Sequence, residues 1–344
     1  MNNNRLLELD ALRGLAALAV VCFHYFYRYN EIYGHENIAV SWSNIGHLGV
    51  ELFFMVSGFV IFWTLNRAEK PLDFIVSRFS RLYPAYWCAL LVTFSMVAFF
   101  GLPGREVSLF DAVVNVLMFQ EYLLIPHVDG VYWTLTVELT FYFWMFLFYL
   151  KSGLDKIEHV FSFFIFLSIL YSLGVLDIPV PIYKIFIMKY IPFFTAGICF
   201  YKIINGGKNL NVTICILLFS LASTAVIYSF KYFCVFTVFY IVFYLALSGR
   251  MKFLSFRPFV FMGSISYSLY LLHQNIGYII INGFYEMSWN PLIGILLSVV
   301  LCIVLATFST KYIETPSLKY IRRSYRNNKK IQRIAKSMTL FRNR

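Results

Sequence analysis

Arg13 and His24 stand eleven residues apart in the first apolar segment of the chain, and both are ionisable groups placed where hydrocarbon is expected around them. Eleven helical steps of about 100° come to about 1100°, three turns and roughly 20°, so both side chains project from one stripe of a helix. The rise between them is roughly 16 Å, about half the hydrocarbon thickness of a bilayer. A cation then marks the inner rim of the membrane, and an imidazole lies deep on the same line. Neutral imidazole can take a proton from a hydroxyl near pH 7, and a carboxylate beside it can orient it. Arg78 and Arg81, in the run SRFSRLYP, approach from the same side as Arg13. Guanidinium forks match phosphate oxygens, so the three read as an anion-binding cluster, although each alone also reads as a headgroup anchor.

A second set of polar residues falls toward the opposite face: His47 and Glu51 in GHLGVELFFMVSGF, Glu138 in VYWTLTVELTFY, and His273 in SYSLYLLHQN. A charge inside a bilayer is costly unless it faces the bundle interior and has a partner. Glu51 and Glu138 are therefore candidates to orient His24 or to balance its charge, with an interhelical hydrogen bond as the competing role. His47 reads either as a site residue or as an interfacial loop residue. His273 either lines the same cavity or braces neighbouring helices. Trp133, with Tyr29, Tyr33, Trp42, Tyr122 and Tyr132, suits stacking against a sugar, and an interfacial aromatic belt accounts for the same residues. The layout suits transfer across a membrane, with an arginine cluster holding a polyanionic donor while a histidine acts on its far end.

The composition places these residues in a membrane protein. Of 344 residues, 60% are hydrophobic and 13% charged, too apolar for a water-exposed surface. A window of about twenty residues yields an all-α, polytopic chain with about ten transmembrane helices, at 9–27, 47–65, 82–100, 132–150, 159–176, 185–201, 211–228, 232–248, 261–282 and 292–313. The stretch 108–125 is apolar but interrupted by Asp111, Asn115, Gln120 and Glu121, and reads as an interfacial or re-entrant helix. With the N-terminus inside, Arg5, Arg13 and the basic C-terminal residues fall on the inner side. Only Arg28, Arg105, Lys184, Lys189 and Lys231 of the 29 Lys and Arg fall outside. Both termini are thus expected to be cytoplasmic.

The net charge of +12 is mostly this topological bias, so no nucleic-acid partner is expected, and the basic tail 321–344 reads as an anchor to anionic lipid. The first span lacks a small-residue cleavage site, so it is expected to remain attached. The six cysteines all fall within spans and read as small core residues. No histidine pair at i, i+4 and no Cys-x-x-Cys suggests a metal.

The run LDALRGLAALAVVCFHY resembles the signature of the acyltransferase-3 family of membrane acyltransferases, whose first helix carries a basic residue, ten intervening residues and a histidine. GVELFFMVSGFVIF, SRFSRLYPAYW, WTLTVE, SYSLYLLH and YIETPSLKY extend the likeness, in order, to about residue 320. The resemblance implies a transmembrane acyltransferase domain over 1–320 in a bacterial inner membrane. It implies a donor, acetyl-CoA or another acyl-CoA, with Arg13, Arg78 and Arg81 on the donor side. The acceptor would be a hydroxyl of an extracytoplasmic or lipid-linked glycan such as O-antigen, capsule or exopolysaccharide. Arg13 and His24 are the essential pair by this likeness, and Glu51 stands where the family more often has aspartate. His24 would serve as general base or as an acyl carrier. No appended hydrolase-like domain is expected after residue 320. A transporter or glycan flippase would also have ten helices with buried ionisable groups, but it would show related halves, and no internal repeat is evident.

Overall fold

The computed structural model describes residues 7–342, and these are helical with no strand among them; Arg5 and Arg344 lie outside the described residues. The long helices are α1 (Leu7–Ile32), α2 (Ser41–Asn66), α3 (Pro71–Phe100), α4 (Gly130–Leu150), α5 (Ile157–Ser172), α6 (Ile191–Ile204), α7 (Leu210–Ile227), α8 (Phe230–Leu247), α9 (Arg257–Glu286) and α10 (Pro291–Asn327). A basic helix, α11 (Lys329–Arg342), follows. Each expected span overlaps one of the first ten. Seven of the described helices are long and apolar enough to cross a membrane. Helices α5 and α6 have only 16 and 14 residues, while α9 has 30 but carries His273, Gln274, Asn275 and several serines. Large apolar side chains cover the outside, with Phe99 83% exposed; such a surface is stable in lipid. The protein is an integral membrane protein.

Helix approach is set by glycines. Between α1 and α9, a Cβ on Gly14 would fall on the backbone of Gly263, and one on Gly263 would fall on that of Asp10. Between α2 and α6, Gly58 and Gly197 stand in the same relation to Phe194 and to Met55. In lipid, where apolar burial gives no driving force between helices, small residues allow the close backbone packing that does. The first crossing fixes the height of Arg13, the neighbour of Gly14. Helices α5, α7 and α8 pack on α6, away from the polar residues of α1, α3, α9 and α10.

The segment 108–125 does not cross. Its only α-helix, Leu109–Asn115, has seven residues, about 10 Å of rise, and Ser108 and Asp111 close it with a capping box. The chain then dips back into the bundle at Asp129. That carboxylate accepts from the backbone N–H of Val131 at 3.2 Å and of Asn275 at 3.1 Å. Asn275 in turn donates to the Val128 carbonyl at 2.9 Å.

Burial pushes the Asp129 carboxyl from 3.8 up to about 6, against these two bonds and the Arg105 charge. The folded value lies above the unfolded one, so the native state holds the extra proton between about pH 4 and 6. Stability is then complete below that window and falls as pH rises through it, by at most about 1.4 kcal/mol per unit. Asp129→Asn keeps an acceptor oxygen and should flatten the pH dependence of the melting temperature over that range. An unchanged slope in the variant would show that Asp129 is not its source.

Candidate active site

Six helices enclose a cavity of about 610 Å³. Arg13 enters it from α1, Arg78 and Arg81 from α3, Glu138 from α4, Tyr267 and Tyr270 from α9, and Glu314 from α10. The three arginines singled out by sequence thus share one space. Arg322, a residue of the basic tail, also lines it. Helix α3 reaches the cavity through a turn at Pro84, whose missing N–H leaves the Ser80 carbonyl without its helical donor.

The guanidiniums differ in what neutralises them. Arg81 forms an ion pair with Glu314, a carboxylate only 2% exposed that also accepts from Ser268 Oγ at 3.1 Å and Thr310 Oγ1 at 3.4 Å. Glu314 ends a π-helical turn, Thr310–Glu314, two residues before Pro316; a proline at that place cannot continue the regular ladder. Arg13 lies 3.9 Å from Asp10, one turn away on its own helix. Arg78 donates to the Ser77 hydroxyl at 2.9 Å and also interacts with the Tyr142 hydroxyl, while its Nε is buried without a hydrogen-bond partner. Its plane stands about 6 Å from the rings of Phe74 and Tyr142.

His24 sits just inside a second π-helical turn, Phe23–Arg28; such turns recur at functional sites. Its Nδ1 is 2.9 Å from the Val20 carbonyl and 3.0 Å from Nε2 of His273. His273 is fully buried, with its Nδ1 2.8 Å from the Tyr270 carbonyl. A carbonyl can only accept, so His273 carries its proton on Nδ1, and Nε2 of the neutral ring presents a lone pair. His24 must donate to that lone pair and to Val20 from Nδ1–H. Its own Nε2 is thereby left unprotonated, on a half-buried residue.

None of the remaining expected site residues has a hydrogen bond to His24. Glu138 accepts from Ser57 Oγ and Tyr142 OH, each at 2.5 Å. Glu51 faces Tyr228 OH at 3.4 Å, and its second oxygen has no partner. Neither carboxylate hydrogen-bonds His24; the side chain that does is the imidazole of His273. A slip of one position turns a helical side chain by about 100°, so sharing a depth with His24 does not place these carboxylates beside it. His47 bonds its own turn at the Asn44 carbonyl, and its ring is 5.3 Å from Phe23, which separates it from His24. Trp133 lines another pocket, of about 180 Å³, with Tyr122, Lys184 and Tyr190.

Arg13 and His24 share one stripe of α1 but do not line the same cavity. His24 is not among the residues lining the arginine cavity. Phe53 and Tyr270 line it, with ring centroids 5.8 Å apart, and Tyr270 lies against His273 at 5.8 Å. One aromatic layer therefore stands between the cavity and the imidazole pair. Two acidic or basic participants escaped the sequence reading: Glu314, whose signal was a carboxylate preceding Thr-Pro in an apolar helix, and Arg322, which was absorbed in a basic tail. Among the described residues, no three His, Cys, Asp or Glu side chains converge as a metal would require.

This fold and cavity define a polytopic membrane protein with a buried basic chamber under an imidazole pair. Residues 6–310 match the family model of an acyltransferase domain, and the chain belongs to the acyltransferase-3 family. It is 28% identical over 154 residues to the peptidoglycan O-acetyltransferase OatA of Listeria monocytogenes, covering 39% of this chain and 22% of that protein. It is 28% identical over 149 residues to the acyltransferase MdmB of Streptomyces mycarofaciens, covering 40% and 38%. With the exopolysaccharide production protein ExoZ of Rhizobium meliloti, identity is 33% over 114 residues, covering 28% and 32%. The alignments thus span well under half of each relative. No solved structure matches the chain.

Removing one partner of a buried ion pair strands the other charge, at a cost of up to roughly 3–5 kcal/mol. Glu314→Gln should therefore lower the unfolding free energy of the protein in mixed micelles by an amount in that range, with a matching fall in its unfolding midpoint. The double variant Arg81→Met, Glu314→Leu should recover most of it. Equal midpoints for the single variant and the parent would mean the pair is not a structural tie.

Proposed function

We propose that the protein is a membrane O-acyltransferase that moves an acyl group, most simply acetyl, from acyl-CoA entering at the basic end of the bundle to a hydroxyl of a glycan on the far side. The observation that carries this reading is the His24–His273 pair, whose hydrogen bonds leave His24 Nε2 without a proton one aromatic layer away from a cavity lined by arginines. In this reading ten helices cross the bacterial inner membrane with both termini cytoplasmic. Arg13, Arg78 and Arg81 form the donor side of the cavity, with Arg78 toward the phosphates, and Glu138 and Glu314 keep that cluster from excessive self-repulsion. The acyl arm passes between Phe53 and Tyr270 to reach His24.

The chemistry then needs only groups already present. His24 Nε2 takes the proton of the acceptor hydroxyl as its oxygen attacks the thioester carbonyl. The C–S bond breaks, and the imidazolium returns the proton to the leaving thiolate. His273 keeps the correct nitrogen free by accepting from Nδ1–H, the task a carboxylate performs in serine hydrolases. The glycan acceptor follows from the peptidoglycan and exopolysaccharide named in the relatives, and Trp133 and His47 lie on the side from which it would come.

His24→Ala should reduce transfer of radiolabelled acetyl from acetyl-CoA to membrane glycans by at least about 10²-fold while the folded protein remains as abundant. Full activity in that variant would refute the assignment. Purified protein should also consume acetyl-CoA, which a flippase would not. His273→Ala, which leaves Val20 as the sole acceptor for His24 Nδ1, should lower kcat far more than it raises KM. A change confined to KM would exclude a role for His273 in positioning His24.

A further inference from the structure

Arg78 and Arg322 converge on one hydroxyl. Arg78 Nη2 donates to Ser77 Oγ at 2.9 Å and Arg322 Nη2 donates to it at 3.1 Å. Arg322 holds its place through Ser80 Oγ, at 3.3 Å. No carboxylate pairs with either among the described residues, in contrast to Arg81 with Glu314. Two guanidiniums at this separation repel in a partly desolvated site, and an anion between them relieves that cost.

Arg322 also lines a second cleft, of about 400 Å³, that opens at the basic end of the bundle. Its charged walls are Arg67, Lys70, Arg322 and Arg326 against the single carboxylate Asp73, which is engaged by Tyr325 OH at 2.5 Å. Helix α11 closes the cleft, with Gln332 accepting from Lys70 Nζ at 2.7 Å. Cavity and cleft therefore meet at Arg322 as one basic track, from the aromatic layer under His24 to the surface. A lipid headgroup would account for cations at the rim. It does not account for the bare Arg78 Nε deep in the wall, nor for the continuation of the track into the cavity.

We infer that this track is a two-step phosphate site in which the Arg78–Arg322 pair holds a diphosphate and the cleft of Arg67, Lys70 and Arg326 holds a further phosphomonoester of the same ligand, so that α10 and α11 belong to the donor site. The inference rests on the acyl-CoA reading above, because coenzyme A carries a diphosphate and, beyond it, a ribose phosphate. It makes the C-terminal segment a recognition element, where the sequence alone read a lipid anchor.

The test compares coenzyme A with dephospho-coenzyme A, which lacks only the ribose phosphate, by calorimetry on the detergent-solubilised full chain. The parent should bind coenzyme A more tightly by roughly ten- to hundredfold, the worth of one or two charge-assisted contacts. In Arg67→Gln, Arg326→Gln the affinity for coenzyme A should fall to that for dephospho-coenzyme A, which itself should not change. Equal affinity of the parent for the two compounds, or equal loss of both in the variant, would overturn the subsite and leave the donor reading intact. Binding of neither compound by the parent would remove the donor reading and the subsite with it. A variant that keeps its coenzyme A affinity but loses co-purifying anionic lipid would assign the cleft to headgroups instead.

Discussion

Charges cannot stand alone in hydrocarbon, and the bundle is organised around how each of its buried charges is answered. The ion pair between Arg81 and Glu314 is the firmest answer: it joins α3 to α10, and Ser268 brings α9 to the same carboxylate. Once that tie is made, Arg78, one turn earlier on α3, is carried into the cavity with no carboxylate of its own. The structure thus leaves a defined excess of positive charge at one place and neutralises it elsewhere. In the proposed reading this unanswered cation binds an anion, whose length is matched to how far the track runs.

The same economy applies to the imidazoles. A carboxylate beside His24 would place another charge at depth, whereas His273 orients the ring through a neutral lone pair fixed by the Tyr270 carbonyl. The π-helical turn at Phe23 sets His24 where it can meet α9, and the Gly14–Gly263 crossing brings the two helices close enough for a 3.0 Å contact. Tyr270 links the two halves of the site, since its ring bounds the arginine cavity and its carbonyl fixes the tautomer. Its hydroxyl is held by Thr134 at 2.9 Å, which keeps the aromatic layer in place between donor cavity and base.

Much of this was legible before any coordinates. Arg13, Arg78 and Arg81 fall on one cavity because all three lie near the same end of their helices and depth is a linear function of sequence position. Each of the ten expected spans overlaps a helix for the same reason, seven of the described helices being long and apolar enough to cross a membrane, and the polar interruptions in 108–125 go with a helix of only seven residues. What sequence could not supply was rotation and tertiary pairing. Glu51 and Glu138 share a region with His24 but bond Tyr228, Ser57 and Tyr142, while His273, read as a lining residue or a brace, is the one in contact. Arg322 was hidden by its surroundings, because a basic residue in a basic tail carries no signal of the fold that returns it to α3. The two π-helical turns were also invisible, since a single extra residue per turn does not disturb an apolar pattern.

The central claim is that one ligand spans the basic track and presents its acyl end to His24. The most direct measurement is the cryo-EM density of the full chain with a non-hydrolysable acyl-CoA. The account requires phosphate density at Arg78 and Arg322, with the acyl carbonyl beyond the Phe53–Tyr270 layer and near His24 Nε2, leaving room for a hydroxyl at about 3–3.5 Å from the carbonyl carbon. An acyl end that stops below Tyr270, or a nucleotide bound away from the arginines, would contradict it.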